Sequence, residues 1–319
     1  MSNQILVIAG PTASGKTRLG IELAQELGGE IVSADSMQVY RGMDVGTAKA
    51  DAAERAQAVH HMLDVAEPYE NYSVARYVED ASRVVDELLA RRRLPILVGG
   101  TGLYIDSLIA GRDFAETEED KALRNALSEE YDRLGGEALR ERLRAVDPAR
   151  AGKLSATDKR RIVRALEIYL RTGVTATEHD EQTRRRPPKY DAARIVLNYR
   201  DRKALYARID ARVDAMVARG LFEEVQALLD GGLSADCTAM QAIGYKEAAA
   251  ALRGELSRAE AAELIRLNSR RYAKRQLTWF RRWEGAHWIE WDRAPDFEAA
   301  RRSSTAFLLC RGYHKEAQT

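Results

Sequence analysis

The run Ile5-Leu6-Val7-Ile8-Ala9-Gly10-Pro11-Thr12-Ala13-Ser14-Gly15-Lys16-Thr17 constrains the fold more than any other stretch of this chain. An apolar segment leads into Gly10, four residues follow, and then come Gly15, Lys16 and Thr17. This is the strand, glycine loop and helix start of a P-loop. Such an apolar run belongs inside a parallel sheet. The loop turns its N–H groups inward as a nest for anions. A helix over Arg18 to Leu27 adds the positive end of its dipole. Lys16 supplies an ammonium, and Thr17 a hydroxyl suited to a phosphate or to Mg²⁺. The motif reports a polyphosphate group, without saying which molecule carries it or which bond breaks.

The elements that follow keep to the same architecture. Gly28-Gly29 ends the first helix, and residues 30–34 read as a second strand running into Asp35-Ser36-Met37-Gln38-Val39-Tyr40. Residues 41–73 read as irregular. A helix capped by Ser73 runs to Leu89. Leu94-Pro95-Ile96-Leu97-Val98 is a third strand, ending in Gly99-Gly100-Thr101-Gly102. Alternating strands and helices indicate a parallel sheet with crossovers. From Glu116 to Thr183 the chain is rich in charge and helix formers, and Arg184 to Pro188 reads as a linker. Strand character returns over Arg194 to Tyr199. Helices follow at Arg202 to Arg219, Phe222 to Leu229 and Arg258 to Trp283. His287 to Trp291 reads as an edge strand, and the chain from Arg311 as a frayed end. The expected fold class is α/β, a P-loop NTPase-like parallel sheet core with an inserted helical domain. Residues 1–112 and 190–319 form the core with its C-terminal helices, and residues 113–189 the insert.

Composition narrows the setting. A net charge of +1 over 319 residues excludes a generally basic polyanion binder, so any nucleic-acid role must come from local clusters. Cys237 and Cys310 are isolated, which argues against a disulfide scaffold or a zinc site and fits a reducing compartment. The chain enters a strand within its first residues, leaving no room for a signal peptide. No apolar run reaches membrane-spanning length. A cytoplasmic protein with no membrane partner is expected.

Candidate chemistry gathers at strand ends, where open α/β sheets bind ligands. Asp35 can hold Mg²⁺ or accept a proton; as an alternative it caps a turn. Gln38 can pair with the N6 and N7 edge of adenine. Thr101 stands where many P-loop NTPases carry a Mg²⁺-binding aspartate, which weighs against ordinary nucleotide hydrolysis. Arg208 and Arg212 share a helical face. Either can reach a diphosphate oxygen, or can pair with Asp210 or Asp214. His60-His61 shows no metal-site spacing. Two basic faces stand out at roughly 100° per residue. Arg160, Arg161, Arg164 and Arg171 line one, opposite Ile162, Val163, Leu166, Tyr169 and Leu170. Arg270, Arg271, Lys274, Arg275, Arg281 and Arg282 line the other, with Ile265, Tyr272, Trp279 and Phe280 facing away into the core. Such one-signed faces in a neutral protein point to a local polyanion, with phosphate backbones the commonest.

These residues resemble the tRNA dimethylallyltransferase family, also called the tRNA isopentenyltransferases. The resemblance runs along nearly the whole chain. It covers residues 10–17, 33–40, 43–49, 60–65, 72–75 and 98–104, Asp158 with Arg161 and Arg164, Ile243-Gly244-Tyr245-Lys246-Glu247, and Lys274-Arg275-Gln276-Leu277-Thr278-Trp279. Ala50 stands where the family carries proline, and Arg160 where it carries glutamine. The resemblance implies transfer of a dimethylallyl group from dimethylallyl diphosphate to N6 of the adenosine just 3′ of the anticodon in tRNA. It implies diphosphate binding by Thr12, Ala13, Ser14, Gly15, Lys16, Thr17, Arg212 and Arg208, with Mg²⁺ as a shield held at Thr17. Asp35, Thr101 and Lys16 become the catalytic residues. The anticodon stem-loop is then gripped through Asp35, Ser36, Met37, Gln38, Thr101, Arg160, Arg161, Arg164, Gly244, Tyr245, Lys246, Lys274, Arg275, Gln276, Trp279 and Arg281, and the enzyme is a monomer. The adenosine must leave its stack to react, which resembles base flipping. The rivals are a P-loop small-molecule kinase or phosphotransferase, which predicts ATP turnover, and a non-catalytic nucleotide-gated RNA switch, which predicts no covalent product.

Overall fold

A computed structural model of the chain describes residues 3–112 and 120–313. The expected start of the insert at residue 113 lies outside them, as does the chain beyond Tyr313. The described chain divides into two compact units, one from residues up to 109 and from 189 onward, the other spanning 110–188.

The first unit is built on a six-stranded sheet of order β3-β2-β4-β1-β5-β6. Its strands are β1 (Gln4–Ala9), β2 (Glu30–Ser33), β3 (His60–His61), β4 (Pro95–Gly99), β5 (Asp191–Tyr199) and β6 (His287–Trp291). Every pairing is parallel. Central strands buried on both faces carry apolar runs without alternation, and Ile5 to Ala9 are all fully buried. The strands alternate with α1 (Lys16–Leu27), α2 (Ala52–Gln57), α3 (Val74–Ala90) and α4 (Gly102–Ile109). One side of the core joins Leu6 and Ile8 to Ile96, Val98, Ile195 and Leu197, under Leu19 and Leu23 of α1.

Three expectations change. Residues 41–73 are not wholly irregular: α2 carries a full capping box between Asp51 and Glu54, and β3 pairs with β2 through Ile31–His60 and Val32–His61. Two residues are too few to show a period, so that strand exists only through its partner. The C-terminal helix is followed by Tyr313, which is buried and not frayed. Its hydroxyl donates to the Ile5 carbonyl at 2.9 Å and accepts the Ala193 N–H at 3.0 Å. The basic stripes are also less free than a helical wheel suggests, as described below.

The second unit is helical: α5 (Lys121–Leu134), α6 (Gly136–Val146), α7 (Pro148–Ala151), α8 (Lys159–Thr172) and α9 (Ala176–Arg185). It has its own core, in which Leu127, Leu139, Leu143, Ile162 and Leu166 are buried together. After β5 the first unit continues with α10 (Arg202–Ala218), α11 (Leu221–Asp230), α12 (Tyr245–Leu252), α13 (Arg258–Phe280) and, beyond β6, α14 (Phe297–Cys310).

Candidate active site

Parallel strands all end on one side of a sheet, and the segments leaving those ends meet there. The loop after β1 holds its shape through special backbone. Gly10 has φ 150°, and a Cβ there would lie 2.5 Å from the Leu197 carbonyl of β5. Ala13 takes the left-handed region at φ 64°, a conformation that turns successive N–H groups to one side. Side chains far along the chain clamp the loop. The Trp291 indole donates to the Ser14 carbonyl at 2.9 Å. Gln276 of α13 accepts the Thr12 N–H at 2.9 Å and donates to the Gly100 carbonyl at 3.0 Å, bridging the loop to the end of β4. A Cβ at Gly100 would sit 2.1 Å from that amide nitrogen.

A cavity of about 320 Å³ opens beside the loop. Thr12, Lys16 and Thr17 line it from the P-loop, Asp35, Ser36, Met37 and Gln38 from the end of β2, Arg212 from α10, and Tyr272, Arg275 and Gln276 from α13. The remaining wall is largely apolar: Ile31, Ala50, Leu63, Val98, Met216, Ala242, Ile243 and Ile265. The cavity therefore combines a cationic, hydroxyl-bearing wall with a hydrocarbon one.

Burial and the nearness of two cations shape the electrostatics of the cavity. Burial, and next the Arg212 guanidinium, pull the Lys16 ammonium down to about 7, against the opposing pull of Asp35. Its Nζ donates to the Pro11 carbonyl at 2.8 Å. Burial also lowers Arg212, which Asp35 opposes. Its Nη2 donates to the Thr47 carbonyl at 3.2 Å, while Nε is buried without a partner among the described residues. The Ser14 hydroxyl in the loop is likewise buried and unpartnered among them. Buried polar groups left unmade are expensive, and two of them lie in or beside the loop, Arg212 at the cavity and Ser14 within the loop itself. Burial pushes the Tyr272 phenol up to about 12, with Asp35 adding to the shift.

Asp35 fixes a turn and also lines the cavity. Its Oδ1 accepts the N–H groups of Met37 at 2.9 Å and Gln38 at 3.4 Å, fixing the turn. No described residue donates to Oδ2, and the side chain faces the cavity. Thr101 does not line the cavity; its hydroxyl accepts the Ser36 N–H at 3.1 Å and so sets the same segment. The Gln38 amide is occupied, accepting from Ser33 and donating to the carbonyls of Thr47 and Ala48, so it holds a loop and does not present an open edge to adenine. Thr17 and Asp35 are oxygen donors suited to Mg²⁺, and no cluster of three His, Cys, Asp or Glu exists among the described residues. That set fits an ion sharing its shell with a diphosphate and water, and not a self-contained metal site.

Arg212 and Arg208 part company. Asp210 pairs with Arg270 and Asp214 with Arg266, so neither takes Arg212, which turns into the cavity. Arg208 is exposed beside Tyr199, outside the cavity lining. The pairing with Asp210 also withdraws Arg270 from the basic stripe of α13, leaving Arg271, Lys274, Arg281 and Arg282 exposed and Arg275 at the cavity. Tyr272 lines the cavity and is not core. Trp279 is half-buried, its indole donating to Asp106 at 2.7 Å. Tyr245 is fully buried and bonded to Glu224, so its side chain cannot face an RNA; Gly244 precedes it, and Lys246 beside it remains exposed. On α8, Arg160, Arg161 and Arg171 are exposed, but Arg164 reaches the buried Glu167 at 3.0 Å, and Leu170 is 45% exposed, not packed. A wheel finds a face; it does not find the acid beneath it. The apolar wall escaped sequence reasoning altogether, because its residues come one or two at a time from seven separate stretches of the chain.

The family model described as IPP transferase matches residues 38–283, and the one described as Isopentenyl transferase matches residues 3–67. The chain is 46% identical to a tRNA dimethylallyltransferase of Acetivibrio thermocellus, over 91% of this chain and 92% of the relative. It is 48% identical to one of Geobacillus kaustophilus, over 94% of each. Among solved structures, the tRNA isopentenylpyrophosphate transferase of Bacillus halodurans superposes with TM-score 0.71 at 38% identity, covering 98% of this chain and 97% of that one. A eukaryotic dimethylallyltransferase acting on tRNA superposes with TM-score 0.84 at 26% identity, covering 99% and 82%.

Proposed function

The chain belongs to the IPP transferase family, and from that premise we propose how the cavity beside its P-loop prenylates tRNA. The reaction is transfer of a dimethylallyl group to tRNA, not nucleotide phosphotransfer. The observation that carries the site assignment is that one cavity combines Lys16, Arg212 and Asp35 with a hydrocarbon wall. Dimethylallyl diphosphate has the same two-part character.

The donor lies with its diphosphate against residues 12–17 and Arg212, and its prenyl tail against Ile31, Leu63, Met216 and Ile265. The acceptor is N6 of the adenosine just 3′ of the anticodon. An exocyclic adenine amine is a weak nucleophile because its lone pair is delocalised into the ring. As its bond to C1 of the prenyl group forms, the C1–oxygen bond breaks and pyrophosphate departs. Asp35 Oδ2 takes the proton released from N6. Lys16 and Arg212 meet the charge growing on the leaving group, where stabilisation accelerates the step. Thr17, with Asp35 nearby, would hold Mg²⁺, which would supply further charge neutralisation. Thr101 keeps the Asp35 segment in register through Ser36. Burial and Arg212 weaken the hold of Lys16 on its proton, and the negative charge of the diphosphate restores it.

The tRNA is gripped through phosphates and shape by exposed basic residues of each unit, Arg160 and Arg161 on α8 and Lys274 and Arg281 on α13. Two unpaired cysteines support a cytoplasmic setting, and the enzyme acts as a monomer in this reading. The deciding experiment incubates the protein with unmodified tRNA and dimethylallyl diphosphate and follows the mass of the digested nucleosides. A dimethylallyl gain on adenosine, with equimolar pyrophosphate and no dependence on ATP, is expected. ATP turnover without that gain would restore the kinase reading.

A further inference from the structure

Gly46, Thr47 and Ala48 line the cavity, yet they lie in a turn outside any helix or strand. What holds them is Glu224, on α11. One carboxylate oxygen accepts the N–H groups of Asp44 at 2.8 Å and Val45 at 2.7 Å. The other accepts the Gly46 N–H at 3.0 Å and the Tyr245 hydroxyl at 2.5 Å. Burial, then the Glu224 charge, pushes the Tyr245 phenol far up, so it remains a donor. The fit is close: a Cβ at Gly46 would lie 2.5 Å from the Tyr245 ring. Just past the clamped N–H groups, the Thr47 carbonyl accepts from Arg212 Nη2 at 3.2 Å and from Gln38 Nε2 at 3.3 Å.

A carboxylate with four donors is a charge-assisted anchor. It fixes the turn from outside the cavity, and the turn fixes one edge of the guanidinium inside it. The Nε of Arg212, buried and unpartnered among the described residues, is then left for a ligand oxygen. We infer that Glu224 is a positioning residue for the diphosphate: it clamps the 44–46 turn so that the Thr47 carbonyl aims Arg212 into the cavity. This rests on the reading of Arg212 as a diphosphate ligand. Preorganised donors of this kind matter because misplacement by an ångström is costly in rate and binding.

The test is a double-mutant cycle on the full chain, with Glu224→Gln, Arg212→Ala and the pair. Michaelis constants for dimethylallyl diphosphate and for tRNA, kcat, and the Kd of pyrophosphate are measured. Glu224→Gln should raise the dimethylallyl diphosphate KM and the pyrophosphate Kd about tenfold, the loss expected from one charge-assisted bond, with the tRNA KM unchanged. In the Arg212→Ala background the same substitution should cost almost nothing further. Tyr245→Phe, which keeps the three backbone donors, should shift the same constants less; it carries the cycle should Glu224→Gln fold poorly by circular dichroism. Additive losses, or an equal rise in the tRNA KM, would overturn the inference while leaving the diphosphate reading intact. An unchanged dimethylallyl diphosphate KM in Arg212→Ala would overturn that reading, and the inference with it.

Discussion

Asp35 shows how much one side chain's position was legible and how much was not. A carboxylate just past a parallel strand faces the ligand crevice by the geometry of the fold, so its site could be read directly. That one oxygen fixes a turn while the other stays open is a matter of a single side-chain torsion, which no spacing encodes. Asp35→Ala should lower single-turnover prenyl transfer by about 10²–10⁴-fold, the range for losing a general base, with tRNA affinity retained; an unchanged rate would remove the proposed base. Lys16 was legible as the lysine of a P-loop, but its depressed affinity for protons arises from burial beside Arg212, two facts of packing. As pH rises through about 7 the free protein loses the Lys16 proton. The diphosphate complex keeps it, so binding takes up a proton above that pH. Pyrophosphate affinity should therefore be flat in this contribution below pH 7 and fall by about tenfold per pH unit above it. Lys16→Arg, which stays charged, should flatten that slope in isothermal titration across the same range.

At the level of elements, α13 combines roles that a wheel blends into one stripe. Its buried edge carries Gln276, tying the P-loop to the end of β4, while Lys274 faces outward and Arg275 reaches the cavity. Gln276→Ala leaves the Thr12 N–H and the Gly100 carbonyl without their partner and should destabilise the protein by about 2 kcal/mol in denaturant titrations, while raising the KM for dimethylallyl diphosphate more than that for tRNA. Replacing Lys274 and Arg275 by Gln should reduce the slope of log Kd for tRNA against log salt by about 1–2; an unchanged slope would assign both to solvent. The helix itself was legible, since its Ser257 cap with Glu260 is a complete local signature. Its partners were not, because Asp210 and Asp106, which take Arg270 and Trp279, lie 60 and 173 residues away.

At the scale of the molecule, the helical unit of residues 110–188 has its own core and its own exposed arginines. Charge reversal at Arg160 and Arg161 should weaken tRNA binding at least tenfold, as expected for losing phosphate contacts, while pyrophosphate binding to the P-loop stays unchanged; matched losses of both would mean the substitutions act through stability. Ala50 and Arg160 depart from the family pattern in different settings: Ala50 lines the apolar wall, Arg160 lies on the exposed face of α8. The sequence by itself determined the P-loop, five of the six strands, the helical character of the middle of the chain and the placement of Lys16 and Asp35 beside the strand ends. Those features depend on residues within a few positions of one another, where periodicity, capping and backbone preference operate. Only the tertiary structure decided that β5 lies against β1, so that α10 leaves the sheet on the P-loop side and delivers Arg212 to Lys16. It alone assembled the hydrocarbon wall, buried Tyr245 against Glu224 and paired Arg164 with a submerged glutamate. Strand order and long-range ion pairing are settled by the packing of the whole core, and no local window of the chain contains that information.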